Sequence, residues 1–570
     1  MCGIAGFTIL EQDDPYTSVS QLHRMTGSLF HRGPNAEGLY LDERIALGSR
    51  RLSLVDISNG SQPFYNENRT VVVIYNGEIY NAPALRKMLA NKGHKLYSAC
   101  DGEIIPHLYE EYSTDFMSRL DGMFAIALWD TTCKRFILTV DQAGIKPLYY
   151  TQKEKRLIFA SELKALFSIG GARPPIAPVS MLSYLKYKFI PAPCTPYTGI
   201  QKMMPGQTLV WEDNRLVADR GSIPIGHSDG GDLTELLETA IKTTTMSDKR
   251  VGCLLSGGLD SSIVAAVIAN ELPNAPIFGV GYPGRLEADE TYFAAKLCKE
   301  LGMDYCQVCV GPADVPANLD EIVWHLDEPN QDPITVPYFL LLRQVKESVS
   351  VVLTGDGSDE FFGGYQRFAV WDAESSSNLD AYGNELFLFR LEELRQDFTE
   401  AYRDAFERLA SEQSFPQIHS LQSCMAWERQ YRLPAYHLNR VDKLSMAWGV
   451  EARVPFLRPT VTNYALRLSA HELRNQQTEK VKLKEAFRGR LPAWLLERKK
   501  QPFTFPISHW LRTELQEWSK ETLLYSASPV HAFVDRTYVA CLIDQHHAAQ
   551  ADHSHKIWSL LVMDAYLKQN

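Results

Sequence analysis

Cys2 stands directly after the initiator methionine and just before Gly3, so removal of Met1 leaves a thiol and a free α-amine on one residue. Such a residue is a nucleophile with its own base, because an α-amine titrating near pH ~8 takes the thiol proton directly or through a water. Further along, Arg50-Arg51 offers a guanidinium fork for a small carboxylate. Asn76-Gly77 sets a side-chain amide beside a backbone N–H, and Glu78 and Asp101 are carboxylates suited to an ammonium group. A thiol, an oxyanion hole, a carboxylate receptor and an ammonium receptor together fit a free α-amino acid with an electrophilic side chain. Each piece alone has a plainer reading: Asn-Gly is a common turn, Arg51 a surface charge, Asp101 a cap for a helix starting near Glu103.

A second chemical set lies in the carboxy-terminal half. Residues 251–255 read as a buried strand, followed by Ser256-Gly257-Gly258-Leu259-Asp260-Ser261-Ser262 and an apolar helix from Ile263. A glycine-rich turn between strand and helix aims N–H groups at the positive end of the helix dipole, which suits phosphate. No Gly-Lys-Ser/Thr follows, so it is not a Walker loop. After the β-branched run 349–352 comes Thr354-Gly355-Asp356-Gly357-Ser358-Asp359-Glu360. Two parallel strands ending in such turns converge at one edge of a doubly wound sheet, where Asp260 and Asp359 can hold Mg²⁺ against a leaving pyrophosphate. The plainer reading makes Asp359 a helix cap.

These residues need two scaffolds, and a chain of 570 residues supplies two or three domains. The stretch 212–231 is polar and rich in glycine and reads as a linker between a domain at 2–211 and one at 232–570. Helical periodicity resumes at Leu233, Leu236, Leu237 and Ile241. A net charge of −11 without basic blocks argues against a nucleic-acid partner. No apolar run reaches membrane-spanning length and no signal-peptide plan opens the chain, so the expected location is cytoplasmic, with no membrane partner. Ten scattered cysteines read as reduced thiols. Cys306 and Cys309 have C-x-x-C spacing, but on a strand they point to opposite faces. His546, His547, His553 and His555 read as a solvated face and not a metal site.

Cys2-Gly3-Ile4, His31-Arg32-Gly33-Pro34, Arg51-Leu52-Ser53, Asn76-Gly77-Glu78-Ile79-Tyr80-Asn81 and Asp101-Gly102-Glu103 resemble the class II glutamine amidotransferase domain. The resemblance implies an Ntn-hydrolase αββα sandwich. It implies that Cys2 attacks the glutamine side-chain amide, Asn76 and Gly77 hold the oxyanion, Arg51 the α-carboxylate, and Glu78 and Asp101 the α-ammonium, with Leu52 and Val55 completing the glutamine site. Cys100 replaces the Ser or Val frequent before that Asp, with little consequence expected.

Ser256-Gly257-Gly258 through Ser261 looks like the pyrophosphate loop of ATP pyrophosphatases. Together with Asn439-Arg440-Val441-Asp442-Lys443 and Gly449-Val450-Glu451-Ala452-Arg453-Val454-Pro455-Phe456-Leu457, it makes nearly the whole chain similar to the glutamine-hydrolysing asparagine synthetase B family. That implies a two-domain α/β protein whose carboxy-terminal part is a doubly wound parallel sheet with added helices. It also implies ATP contacts from Leu254, Val280, Thr354 and Gly355, an acceptor-orienting or basic Asp356, and Lys480 on the transferred phosphoryl group, with Lys482 and Lys484 as rivals. The cofactors implied are ATP and Mg²⁺, the substrates glutamine and aspartate, and a homodimer is kept as the expected assembly. Three departures concern the acceptor: Asp356 where many members have Glu, Pro333 where a Thr-Thr-x-Arg pattern places Arg, and Arg458 where Asp is usual. The same chemistry on another carboxylic acid, as in natural-product biosynthesis, is therefore the alternative. A lactam former, a glutaminase alone and a regulatory protein without turnover fit less well, because Cys2, Asn76, Asp260 and Asp359 are all retained.

Overall fold

The computed structural model describes residues 2–153, 155–220, 231–284, 290–371, 378–396, 403–411, 418–500, 505–525 and 527–570. Met1 and half of the expected linker, residues 221–230, lie outside the described residues.

The strand Cys2–Thr8 is buried along its whole length and occupies an interior position of the first sheet. That sheet runs Ile200–Lys202, Tyr149–Lys153, Arg156–Ala160, Cys2–Thr8, Ile45–Arg51, Ala36–Leu41, all antiparallel. A second antiparallel sheet runs Arg215–Arg220, Thr208–Glu212, Arg135–Val140, Gly122–Asp130, Val71–Ile79, Phe64–Tyr65. Alternate residues such as Ile4, Ile45, Leu47, Val72, Ile74 and Leu138 fill the space between the sheets. The outer face of the second sheet is covered by helices Ala82–Asn91 and Ile104–Tyr112, and helix Pro15–Gly27 packs on the first. This is the expected αββα sandwich.

The strand Arg215–Arg220 corrects the expected linker, because it pairs with Thr208–Glu212 and carries the sandwich past Trp211. Its Leu216 and Val217 are exposed on an edge, so its half-polar composition resembles a connector.

The carboxy-terminal sheet is five-stranded and parallel, in the order Tyr305–Cys309, Ile277–Gly281, Val251–Leu254, Val351–Leu353, Glu451–Arg453. Chain order reverses between Val251–Leu254 and Val351–Leu353, and both strands release their glycine- and aspartate-rich turns at that switch point. Helix Leu233–Thr244 opens this half, capped by Asp232, which accepts from Thr234 N.

All ten cysteines are free, and Cys306 and Cys309 are exposed on the edge strand. Of the late histidines His546 departs from the expected solvated face: it is fully buried and lies 3.2 Å from Ser508 O, whereas His555 is exposed, its Nδ1 2.9 Å from Gln331 Nε2. Packing of helix Arg536–His547 onto the core draws His546 inward. Among the described residues no helix is long and apolar enough to cross a membrane.

Candidate active sites

The amino-terminal site is assembled where the two sheets of the sandwich meet. Cys2 pairs in register with Arg51, and its nitrogen donates to Asn76 Oδ1 of the opposite sheet at 2.9 Å. That nitrogen becomes the α-amine once Met1 is removed. With Oδ1 so engaged, the Asn76 amide turns its Nδ2 the other way, buried and without a hydrogen-bond partner. An unpaired buried donor costs about 1–3 kcal/mol, and an oxyanion beside Cys2 would satisfy it. Burial pushes the Cys2 thiol up, and the Leu52 N–H and the Arg51 charge pull it back.

Gln62, not singled out from the sequence, donates from Nε2 to Cys2 Sγ at 3.2 Å and to Tyr75 O at 2.8 Å. Its Oε1 accepts from Tyr75 N, so the amide is locked in one orientation with a donor on the sulfur. Only the folded chain reveals it, because 60 residues separate it from Cys2.

Arg51 is buried and organises the loop after its strand, donating from Nη2 to Val55 O and Asp56 O at 2.9 and 2.7 Å and from Nη1 to Ile57 O at 3.3 Å. A guanidinium has five N–H groups; three are used here, which leaves two for a carboxylate. Leu52 and Val55 lie on this loop. Asp101 Oδ2 accepts from Ile79 N at 2.7 Å, and its Oδ1 receives the Cys100 thiol at 3.4 Å, so the unusual Cys100 touches the carboxylate expected to receive an ammonium group. Glu78 Oε2 lies 3.1 Å from Arg453 Nη2, while Oε1 is buried with no hydrogen-bond partner. Burial, and then the nearby Asp101 charge, hold the Glu78 carboxyl well above the usual range. Two buried carboxylates close together form a receptor for a cation.

The carboxy-terminal site is a cavity of about 390 Å³ at the switch point. Leu254, Ser256, Gly258, Asp260, Ser261, Val280, Thr354, Gly355, Asp356 and Asp359 all line it. Gly257 lines an adjoining cavity of about 140 Å³ with Lys480, Lys484 and Lys500. Gly257 has φ +86°, a conformation that favours glycine, and a Cβ on Gly355 would meet Ser261 N at 2.8 Å. The two loops therefore interlock only with glycine there.

Lys480 lines the smaller cavity and ends on Asp260 and Asp359, which line both. Its buried Nζ lies 2.5 Å from Asp260 Oδ2 and 2.5 Å from Asp359 Oδ1, and Lys500 also pairs with Asp359. Burial opposes the Lys480 charge, but Asp260 and Asp359 outweigh it and raise its pKa. Against the cost of burial, Lys480 and Lys500 hold Asp359 well below the usual carboxylate range. Lys484 is turned away to Thr478 and Glu479, at 2.6 and 2.9 Å, and Lys482 pairs with Glu485 at 3.6 Å. Asp260 and Asp359, both ending on one ammonium, are hard oxygen donors converging on a single charge centre; that donor set fits Mg²⁺ beside phosphates.

An arginine stands beside Asp356. Arg440, from helix Asn439–Met446, pairs with Asp332 and reaches Asp356 Oδ1 at 3.3 Å. Asp332 lines the cavity, whereas Asp327 and Glu328 of the same segment bind Lys443, Lys164, Lys202 and Tyr149. Glu360 is buried against Tyr365 and pushed up to about 7, first by burial and then by the Asp359 charge. Arg458 clasps Asp121 of the other half with both prongs, at 2.7 and 2.6 Å.

Both halves meet through buried charge. Arg32 is fully buried, donating to Cys2 O at 3.2 Å, Glu162 Oε1 at 2.9 Å and Asp442 Oδ2 at 2.8 Å. Lys146 completes Asp442 at 3.0 Å.

With this geometry in place, residues 232–568 match the Asparagine synthase family and residues 1–220 the Glutamine amidotransferase domain family. The chain belongs to the asparagine synthase family. Its fold is two-domain α/β, with a glutamine amidotransferase domain ahead of the parallel-sheet domain. It is similar to asparagine synthetase [glutamine-hydrolyzing] 1 of Bacillus subtilis, at 29% identity over 99% of this chain and 96% of that protein. Asparagine synthetase [glutamine-hydrolyzing] 2 of Oryza sativa is 30% identical over 93% of this chain and 82% of that protein. Asparagine synthetase B of Escherichia coli is 28% identical over 90% and 84%. Family membership accounts for the sandwich and the parallel sheet in one chain.

Proposed function

We propose that this chain is a glutamine-hydrolysing amide ligase that converts aspartate to asparagine with ATP. The observation that carries the reading is the pairing of two chemically complementary sites in one chain: a thiol facing an unpaired amide donor, and an acidic, glycine-lined cavity at a switch point. Cys2 Sγ attacks the glutamine side-chain carbonyl as its proton passes to the α-amine. Asn76 Nδ2 and the Gly77 N–H take the developing oxyanion, Arg51 the α-carboxylate, and Glu78 and Asp101 the α-ammonium. Ammonia departs with that proton, and water cleaves the thioester.

In the second site Ser256, Gly257, Gly258 and Ser261 cradle the phosphates of ATP, and Leu254, Val280, Thr354 and Gly355 contact the nucleotide. The acceptor carboxylate attacks the α-phosphate, pyrophosphate leaves, and ammonia displaces AMP to give the amide. Asp260 and Asp359 would hold Mg²⁺, which when bound neutralises phosphate charge. Lys480 stabilises the charge that moves to the leaving group, and Arg440 and Asp356 orient the acceptor.

The test is pyrophosphate release with Mg-ATP and glutamine, aspartate being compared with a panel of other carboxylic acids and Cys2→Ala run alongside. Aspartate-stimulated release with asparagine as product, and retention of that activity in Cys2→Ala only with added ammonia, is the expected result. Silence with aspartate and turnover with another acid would overturn aspartate and leave the amidotransferase assignment standing.

A further inference from the structure

Glu67, His94, His107 and Glu110 converge on the outer side of the amino-terminal sandwich, each with a ligand atom within 4.8 Å of the others. Glu67 lies in the turn before strand Val71–Ile79, His94 follows helix Ala82–Asn91, and His107 and Glu110 lie one turn apart on helix Ile104–Tyr112. His94 Nδ1 is 3.2 Å from Glu67 Oε1 and 3.9 Å from Glu110 Oε2; His107 Nδ1 is 3.3 Å from Glu67 Oε2 and 3.8 Å from Glu110 Oε2. Ligands about 2.0–2.1 Å from a tetrahedral zinc lie about 3.3 Å from one another, which these separations approach.

The second observation is His107 itself. Its side chain is fully buried, and neither ring nitrogen has a hydrogen-bond partner. A buried imidazole aimed at two carboxylates without bonding either is costly to leave so. Burial lowers its pKa and favours the neutral ring, the form that ligates metal.

The surroundings are those of a metal ligand set. His94 Nε2 faces Glu111 Oε1 at 3.2 Å, and Lys92 holds Glu111 in turn. His94 Nδ1 lies 3.2 Å from Glu67 Oε1, so with its proton on Nε2 toward Glu111 the ring would offer the Nδ1 lone pair to a cation beside Glu67. Asn66 Nδ2 fixes the other oxygen of Glu110 at 2.8 Å, and Lys95 N donates to Glu67 at 2.9 Å.

We propose that Glu67, His94, His107 and Glu110 form a structural zinc site, separate from both reaction centres, that fastens the turn, the helix end and the second helix together. Two imidazoles and two carboxylates match Zn²⁺ better than Mg²⁺ or Ca²⁺. The site lies on the helix that continues the Asp101–Glu103 turn, so metal there would brace the segment carrying Asp101.

The test is chelator-stripped full-length protein reloaded with Zn²⁺, followed by elemental analysis, X-ray absorption at the zinc edge and thermal melting. One zinc per chain, a shell of nitrogen and oxygen without sulfur, and a zinc-dependent rise in Tm are expected. His94→Ala/His107→Ala should lose the metal. Because His107 is buried and its replacement can unfold the domain, the less buried pair Glu67→Gln/His94→Gln serves as a second variant, expected to weaken zinc at least ~10-fold. Wild-type protein without zinc, a sulfur-containing shell, or variants that bind as well as wild type would overturn the proposal.

Discussion

Arg453 holds Glu78 across the domain boundary, Nη2 to Oε2 at 3.1 Å, with both side chains buried. The backbone carbonyl of Arg453 accepts from Thr354 N at 2.9 Å, at the rim of the nucleotide cavity. One residue thus supports Glu78, the proposed ammonium receptor, with its side chain and a loop of the second site with its main chain. Arg453→Met leaves Glu78 and Glu451 buried without their cation, a loss of about 3–5 kcal/mol. Melting temperature should fall and KM for glutamine rise at least ~10-fold, about 1.4 kcal/mol of binding. Ammonia-dependent pyrophosphate release by the folded fraction should change less; equal loss of both activities would argue against this division of roles.

Glutamine use should depend on pH through Glu78. Its pKa is raised in the free protein, so the carboxyl is protonated at the acid end, whereas an ammonium ligand needs the carboxylate. The sign follows: kcat/KM for glutamine rises with pH as Glu78 ionises, and binding releases a proton. Glu78→Gln should weaken glutamine and remove that limb, leaving only the limb due to Cys2. A pH profile of steady-state hydrolysis, with calorimetry in buffers of different ionisation enthalpy, reads both effects.

Of the three neighbouring lysines, Lys480 alone is seated between Asp260 and Asp359. Lys480→Ala should reduce ATP-dependent pyrophosphate release by ~10²-fold or more, as removing a charge stabiliser does elsewhere, while glutamine hydrolysis persists. Lys482→Ala should stay near wild type, because that side chain is a third exposed and pairs with Glu485 at 3.6 Å, away from Asp260 and Asp359. A large loss in Lys482→Ala with little in Lys480→Ala would reverse the assignment.

Asp442 neutralises two buried cations at once, Arg32 and Lys146. Asp442→Asn should therefore cost about 3–5 kcal/mol, seen as a lowered melting temperature. A variant as stable as wild type would mean that water reaches the interface and solvates both cations.

The two reaction sets were legible because each is nearly contiguous: Asn76-Gly77-Glu78 occupies one strand end, and Ser256 to Ser261 one turn. Glycine- and aspartate-rich turns after β-branched runs announced the parallel sheet, whereas the sandwich was expected from the family resemblance alone. Residues whose meaning depends on distant partners were not legible. Gln62 and Lys500 lie in no motif, and Arg440 and Arg453 lie in motifs that assigned them no partner; the contacts of all four appear only when packing brings Cys2, Asp359, Asp356 and Glu78 to them. Arg458 looked like a departure at the acceptor site, yet it contacts Asp121 and the helix Leu233–Thr244. The strand Arg215–Arg220 was hidden because an exposed edge needs little apolar signal.

The burial of Cys2 has a practical side. Its nitrogen is committed to Asn76 in an interior strand, so a purification tag fused ahead of it would occupy the place of the α-amine. Preparations of this protein should carry any affinity handle after Asn570, which is exposed, and intact-mass measurement should show that the first residue is cysteine.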